Sequence, residues 1–352
     1  MATNVPGAGS TPPTNRSGPV RRAARPGLRR SLLALGAVLT VGLAACGTGA
    51  SSAGSDGDTI TMGTVPWLGY APWAIADEKG CFDKAGIDVK LVNFNTDMES
   101  AFIAGKIDVE NTATHMVPNV LKGGMKAKAV LLEDASLDAD AILGGPDVTS
   151  IADLKGKKVA YEKGSTSDLL LQWKLQQEGM SIDDIDPVPM TAQASMTALA
   201  AGKVDAAVSY EPYIADTKAS GAEFHTLGTA GEDEGLISDV LVVPQTMIDD
   251  HPDQVQGLVD AWGCAMDYEK AHPDESMQIM ADALGSKVED IEPTYKGVRL
   301  YDASEQSLLG GQFSSKVLPS VVKASMEAGL MDKDYTAGEL IDPQFANTVA
   351  EK

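Results

Sequence analysis

Three aromatic residues stand within seven positions of one another: Trp67, Tyr70 and Trp73. They follow a predicted strand, and such a cluster can stack on a planar ligand or surround a cation. Gly69 lies between them, and its missing side chain would let the backbone approach a ligand closely. One or two of the rings could instead belong to the core beneath the first helix. We expect about two of the three to face a ligand, with Tyr70 among them.

Polar residues at other predicted strand and helix ends extend this candidate site. Ser165, Thr166 and Ser167 stand at a predicted helix start, where hydroxyl and N–H groups can hold an anionic or carbonyl group. The alternative for these three is ordinary helix capping. Carboxylates at strand ends could accept ligand N–H groups, or could simply be solvated. The remaining candidates at such ends are Asp134, Glu211 and Asp239, together with Thr112, Thr114, His115 and Tyr210.

Basic side chains are missing around many of these candidates. No Arg or Lys occurs from Thr64 to Asp77 or from Val204 to Thr217. A sulfonate or nitrate could still be held by N–H groups and hydroxyls, but aromatic rings and carboxylates fit a neutral or cationic nitrogen compound better. The sequence therefore favours a small polar nitrogen compound as ligand, and leaves a sulfur-containing compound open.

Motifs for catalysis and metal binding are not found in the sequence. There is no C-x-x-C, H-E-x-x-H, P-loop or G-x-S-x-G pattern, and the four histidines are scattered. We therefore expect no metal, no cofactor and no enzymatic activity. Cys81 and Cys264 could form a disulfide outside the cytoplasm, or could be two small buried side chains. The sequence leaves both possibilities open.

A unit of the pattern A-x-x-A-G-K-[IV]-D occurs at 101–108 and again at 198–205. Each copy predicts a helix that stops at a glycine suited to a left-handed C-cap, followed by a short buried strand. Two such units indicate two similar lobes. Residues just beyond the carboxyl ends of their strands would face each other across a cleft, where ligands bind in α/β sheets.

Strand and helix patterns alternate along the chain, which is typical of an α/β fold with a parallel sheet. We place the first lobe at 59–144 plus 240–352 and the second lobe at 145–239. The mainly helical stretch from residue 252 has too few strand patterns for a sheet of its own, so it should pack on the first lobe. Two crossovers, near residues 145 and 240, would then form a hinge.

The first 46 residues predict an export signal and not a part of the fold. Six arginines and no acidic residue precede an apolar run from Leu32 to Val41, and the following L-A-A-C ends at Cys46. We interpret 1–46 as a lipoprotein signal peptide with its lipobox, Cys46 as the lipidation site, and 47–58 as a flexible tether. A chance cysteine after an ordinary secretory signal is the alternative. Arg29-Arg30 leaves general secretion and twin-arginine export both open.

The net charge argues against one class of partner. The chain has a formal charge of −22 at pH 7, and removal of the signal arginines would make it more negative. Such a chain repels nucleic acid and anionic lipid headgroups. We therefore expect no nucleic-acid partner. We also expect attachment to the membrane through the lipid anchor, and a monomer.

Several segments, in a fixed order, resemble one known family. They are 66–73 (PWLGYAPW), 76–82 (ADEKGCF), 86–89 (GIDV), 134–142, 164–167 (GSTS), 201–208 (AGKVDAAV), 211–213 (EPY) and 236–242 (LISDVLV). Together they are similar to substrate-binding proteins of the nitrate, sulfonate and taurine class of ABC importers. The resemblance implies a type II periplasmic-binding-protein fold, in which two α/β lobes joined by a hinge hold a ligand in the cleft between them.

The same resemblance implies a location and partners. The protein would lie outside the cytoplasm, anchored to the cell membrane, and would deliver its ligand to an ABC permease with its ATPase subunit. The pattern at 134–142 looks closer to the branch associated with amide, urea-like or amine ligands. The alternative on this fold is a binding protein or enzyme for a pyrimidine precursor.

Overall fold

The computed structural model describes residues 59–349, which form two β-sheets flanked by helices. The strands, in chain order, are β1 (Thr59–Thr64), β2 (Asp88–Asn93), β3 (Val109–Ala113), β4 (Ala127–Ser136), β5 (Asp140–Gly144), β6 (Lys158–Tyr161), β7 (Asp186–Pro189), β8 (Ala206–Tyr210), β9 (His225–Thr229), β10 (Ser238–Pro244) and β11 (Val298–Leu300). The predicted signal peptide with Cys46 and the predicted tether at 47–58 lie outside the described residues.

Helices cover both faces of the sheets. They are α1 (Pro72–Glu78), α2 (Cys81–Lys84), α3 (Met98–Ile103), α4 (Val117–Lys122), α5 (Thr166–Gln177), α6 (Ala192–Ala200), α7 (Tyr213–Ala219), α8 (Gln245–Asp250), α9 (Pro252–Ala271), α10 (Pro273–Leu284), α11 (Val288–Tyr295), α12 (Leu318–Glu327), α13 (Ala337–Leu340) and α14 (Gln344–Val349), with a helical segment at Leu309–Val317 that is kinked at Gly311. Between residues 59 and 349, no helix combines the length and apolar character needed to cross a membrane.

The expected parallel sheets are mixed sheets. The first has the order β11-β4-β10-β3-β1-β2, and the second has the order β7-β6-β8-β5-β9. Strand β10 runs antiparallel to β3 and β4, and β5 runs antiparallel to β8 and β9. Both β5 and β10 enter their sheets directly from the other lobe, so they begin at the edge where the other main strands end. The carboxyl ends of β1 to β4 and of β6 to β9 therefore face the cleft.

Both crossovers lie closer to the N-terminus than the sequence predicted, as the sheet to which each strand belongs shows. The chain leaves the first sheet after Ser136 and enters the second at Asp140, and it returns between Thr229 and Ser238. Strand β5 was expected in the first lobe but pairs in the second sheet. All five of its residues are buried, so its sequence pattern does not indicate which sheet it joins.

The repeated unit has the same structure in both lobes. Gly105 and Gly202 follow α3 and α6 with φ of +65° and +62°, which confirms the predicted left-handed turn. The aspartate that ends each unit also has the same role. The Asp108 Oδ2 atom accepts from the Thr61 N–H at 2.7 Å, and the Asp205 Oδ2 atom accepts from the Lys158 N–H at 2.8 Å. Each aspartate thus connects its turn to the first strand of a parallel pair.

The C-terminal helices pack on the first lobe, as expected. Trp262 of α9 is fully buried against Trp73 of α1, with ring centroids 5.0 Å apart. Trp73 also stacks on Phe82 of α2, with centroids 6.0 Å apart and planes 12° from parallel. The two helical layers therefore form a single apolar core on one face of the first sheet.

The two cysteines whose pairing the sequence left open form a disulfide. Cys81 in α2 is bonded to Cys264 in α9, and their sequence separation is 183 residues. The bond joins the two helical segments that pack together in the first lobe, one before and one after the inserted second lobe.

Candidate functional site

A cavity of about 430 Å³ lies at the cleft edge of both sheets. Its aromatic wall is formed by Trp67 and Tyr70 from the loop after β1 and by Tyr210 at the end of β8. The Trp67 and Tyr210 rings meet edge to face, with centroids 5.7 Å apart. Since Trp67 belongs to the first lobe and Tyr210 to the second, this contact bridges the lobes. The volume suits a small organic molecule.

Carboxyl groups dominate the polar lining of the cavity. The acidic residues that line it are Asp97, Glu99, Glu110, Asp140, Glu162 and Asp239. Lys163 is the single basic residue in the lining, and its side chain is exposed to solvent. The cavity therefore offers many hydrogen-bond acceptors and little compensating positive charge.

Half of the residues proposed from the sequence line this cavity. They are Trp67, Tyr70, Thr112, Ser165, Thr166, Tyr210 and Asp239. The other half lie outside the lining, namely Gly69, Trp73, Thr114, His115, Asp134, Ser167 and Glu211. Local structure accounts for most of these differences.

Three aromatic side chains donate hydrogen bonds to three buried carboxyl groups beneath the cavity wall. The Tyr70 hydroxyl donates to Asp239 Oδ1 at 2.9 Å, and Trp67 Nε1 donates to both oxygens of Asp134 at 3.2 Å. Trp73 Nε1 donates to Glu133 Oε1 at 2.6 Å. Trp67, Tyr70 and Trp73 are three positions apart, so a short 3-10 helix followed by α1 directs their polar atoms to the adjoining ends of β4 and β10. Trp73 is thus a core residue.

Gly69 has a packing role that differs from the expected close approach to a ligand. A Cβ atom at this position would overlap the Asp134 carboxyl and the Trp67 indole nitrogen. Its absence lets the backbone lie against the hydrogen bond between those two side chains. Asp134 is fully buried there, beneath the cavity wall.

Three further candidates are engaged within the protein. The Glu211 carboxylate accepts from the Ala215 N–H at 2.9 Å, in the first turn of α7. The Thr114 hydroxyl donates to the Ser238 carbonyl at 2.9 Å and so holds the start of β10. The Ser165 hydroxyl accepts from the Ser167 N–H at 3.2 Å, which makes Ser165 the N-cap of α5 although it also lines the cavity.

Burial raises the pKa of several carboxyls that line the cavity. It raises the pKa of Glu110 to about 8, of Asp140 to about 7 and of Asp239 to about 6. The pKa of Asp134 is also raised well above its usual range, first by burial and then by the charge of Asp239. A bound cation would favour the ionised forms of the carboxyls that line the cavity.

Sequence reasoning missed five of the cavity carboxyls, at Asp97, Glu99, Glu110, Asp140 and Glu162. Two of them carried a usable signal. Glu110 and Asp140 interrupt short strands whose residues are all buried. An acid in a buried strand is uncommon unless it is paired or functional, so these two positions could have been identified.

Between pH 6.5 and 8, the free energy of unfolding is expected to fall as pH rises. The raised pKa values of Glu110 and Asp140 mean that the folded state keeps protons that the unfolded chain has released. Their stabilising effect is complete below the ordinary carboxyl pKa. It is lost toward pH 8, by at most about 1.4 kcal/mol per pH unit for each group. Burial lowers the pKa of His115 to about 4, so this residue costs stability only below 6.5.

Urea unfolding at pH 6.5 and pH 8 would measure this slope. Glu110→Gln should make it shallower because the variant has no carboxyl at that position. A wild-type stability that is constant or rises with pH over this window would contradict the prediction.

Residues 67–276 match the protein-family model described as NMT1/THI5 like. A Bacillus subtilis protein whose inferred name is aliphatic sulfonates-binding protein is 30% identical over 343 residues, covering 92% of this chain and 98% of that protein. A Haemophilus influenzae protein with the inferred name thiamine biosynthesis protein is 26% identical over 219 residues, covering 59% and 68%.

Solved structures confirm the expected periplasmic-binding-protein fold. The alkanesulfonate-binding protein SsuA of Xanthomonas axonopodis, bound to MOPS, has a TM-score of 0.68 at 18% identity, covering 82% of this chain and 99% of that one. The nitrate-binding protein NrtA of Synechocystis has a TM-score of 0.63 at 16% identity, covering 84% and 89%. The desulfurization enzyme DSZB has a TM-score of 0.60 at 18% identity, covering 84% and 99%, so the fold also occurs in an enzyme.

Proposed function

Because the chain belongs to the NMT1/THI5-like family, we propose that it captures a small organic ligand outside the cytoplasm and delivers it to an ABC permease. Its class is that of substrate-binding proteins of the sulfonate and nitrate import type. The proposed delivery involves a permease with its ATPase subunit and a protein held at the membrane by a lipidated Cys46. Closure of the two lobes around the ligand would couple occupancy to docking on the permease.

The ligand that we propose is a neutral or cationic nitrogen compound with a planar part. The composition of the cavity wall carries this proposal, because aromatic rings and carboxyl groups surround a space whose lining has one exposed lysine. Rings such as Trp67 and Tyr210 attract cations and stack on planar groups. A sulfonate would instead meet several acceptor oxygens. We therefore take only the importer class from the sulfonate-binding relatives. The ligand of this chain is inferred from the residues that line its cavity.

Binding without catalysis is the activity that we propose. The cavity lining contains no cysteine and no histidine, and the part of the chain from 59 to 349 contains no cluster suited to a metal ion. A serine in the lining, Ser165, is the N-cap of α5, and its hydroxyl donates to the Glu162 backbone carbonyl at 2.8 Å and not to a side-chain base. A nucleophile of this type needs a base to activate it. We therefore infer that this chain shares the fold of DSZB without its catalytic function.

A pyrimidine-like compound is the second candidate ligand. The relative named for thiamine biosynthesis gives this candidate its support. A planar nitrogen heterocycle could stack on Tyr210 and donate amino hydrogens to the carboxyl groups, so it belongs to the same chemical class as the leading proposal.

Tyr210→Ala is expected to weaken ligand binding by about 2- to 30-fold, which corresponds to roughly 0.5–2 kcal/mol of stacking or cation–π attraction. Ligands would first be found by thermal shift with a panel of amines, amidines, amides and sulfonates, and affinities then measured by calorimetry. Tyr210→Phe is the matched control, because it keeps the ring and should bind nearly as the wild type does. Equal affinity of the alanine variant and the wild type would show that the ligand does not use this wall.

A further inference from the structure

One end of the cavity holds buried acceptor oxygens that have no hydrogen-bond donor among the described residues. They are both carboxyl oxygens of Glu110, Oδ1 of Asn111 and one carboxyl oxygen of Glu99. Glu110 and Asn111 are 1% and 0% exposed, and all three residues line the cavity. Most buried polar atoms in folded proteins are hydrogen-bonded, and leaving an acceptor unpaired is costly.

The local structure supplies no counter-charge to these acceptors. The Asn111 side chain donates its Nδ2–H to the Gly63 carbonyl at 3.0 Å, which leaves Oδ1 as its free acceptor. Glu110 precedes Asn111 in β3, and Glu99 comes from the first turn of α3. The lysine in the cavity lining, Lys163, is exposed and belongs to the segment before α5 in the other lobe. Asn119, which also lines the cavity, is a neutral hydrogen-bond partner of Glu99, so the protein pairs that residue only in part and leaves the Glu110 carboxyl unpaired.

We propose that Glu99, Glu110 and Asn111 form an acceptor pocket for the cationic head of the ligand, a planar amidinium or guanidinium-like group with several N–H donors. This inference rests on the proposed binding function and specifies its substrate class. Planar N–H donors pair with carboxylate oxygens in parallel hydrogen bonds, and such charge-assisted bonds are the strong ones. The planar body of the same ligand would lie against Tyr70 and Tyr210 at the aromatic wall.

The same pocket discriminates against anions. A sulfonate group carries acceptors only, so it would place oxygen against Asn111 Oδ1 and could pair with Glu110 only while that carboxyl keeps its proton. Selection of this kind depends on the cost of the wrong pairing as much as on the gain from the right one. A cation also has an electrostatic advantage, because burial and the charge of Glu99 both disfavour ionisation of Glu110 until a positive charge arrives.

Three compounds with the same ring test the charge of the head group: benzamidine, benzamide and benzenesulfonate. Benzamidine should bind the wild-type protein more tightly than benzamide does, and benzenesulfonate should bind most weakly. Glu110→Gln and Glu99→Gln should each weaken benzamidine binding by about 10- to 100-fold, as expected for loss of a charged hydrogen-bond partner. Glu223→Gln makes the same charge change at an exposed residue outside the cavity, and it should leave benzamidine affinity at the wild-type value.

The thermal midpoint of the ligand-free Glu110→Gln variant separates a lost acceptor from a lost fold. We expect it to equal or exceed that of the wild type at pH 8, because the variant removes a buried ionisable group. Glu99→Gln provides a second and less buried test of the same pocket.

Two results would overturn the inference while leaving the binding function in place. One is wild-type affinity for benzamidine in both glutamine variants while Tyr210→Ala weakens it. The other is binding of benzenesulfonate with no binding of benzamidine. By contrast, a ligand whose affinity is unaffected by Tyr210→Ala and by both glutamine variants would count against the cavity itself, and so against the proposed function.

Discussion

Replacing Cys46 with serine is expected to move the protein completely from the membrane fraction to the soluble fraction. The L-A-A-C segment predicts lipidation of this cysteine. Two or more acyl chains hold a protein stably on a bilayer, whereas one chain does so only marginally. Residues 59–349 contain no helix able to cross a membrane. The negative charge of the chain also opposes adsorption to anionic headgroups. Loss of the lipid should therefore remove the main source of membrane affinity.

Fractionation of cells that produce either form would measure this change. Thr48→Ser is the matched control, since it alters a small residue just beyond the lipobox and keeps Cys46. It should remain with the membrane. If the serine variant at position 46 sediments with the membrane as the wild type does, the lipoprotein interpretation is wrong and another attachment must exist.

Local sequence signals were sufficient to predict the repeated unit. Its glycines at 105 and 202 adopt positive φ, and its two aspartates bond to equivalent backbone N–H groups. Both features depend on residues close in sequence or on a conformation that glycine favours. The two-lobe architecture followed from this unit because a repeated helix–turn–strand element needs a repeated sheet to pack on.

The sequence alone could not distinguish the aromatic residues that line the cavity from those that belong to the core. Trp67 lines the cavity, but Trp73, six positions later, packs on Trp262. This partner is distant in the chain and becomes a neighbour only when α9 packs on α1. The same reason explains Gly69, whose importance depends on the Asp134 carboxyl at the end of β4. Long-range packing thus decides which ring meets a ligand.

The local pattern could not predict the direction of strand β5, and it contained a buried carboxyl, Glu110, without indicating the role of that carboxyl. Strand β5 is buried throughout, so its residues do not show which sheet it joins or in which direction it runs. Glu110 is similar, because only the cavity beside β3 explains a carboxyl in a buried strand. Glu110, on which the proposed acceptor pocket depends, is therefore a residue that breaks the rule used to predict its strand.

Replacing both Cys81 and Cys264 with alanine is expected to lower the free energy of unfolding by about 2–5 kcal/mol. The disulfide joins residues separated by 183 positions, and cross-links that close long loops restrict the unfolded chain most strongly. It also ties α2 to α9, on either side of the inserted second lobe. Without it, the first lobe is held together by noncovalent packing such as that between Trp73 and Trp262.

Urea unfolding of the double variant and the wild type, each with and without a thiol reductant, would test this expectation. The reductant should destabilise the wild type and leave the double variant unchanged, which separates the bond from the packing of the two side chains. Ligand affinity should change much less than stability, because no residue of α2 or α9 lines the cavity. A wild type that is insensitive to reductant would contradict a stabilising disulfide, and a large loss of affinity in the folded double variant would show that this bond also positions the aromatic wall.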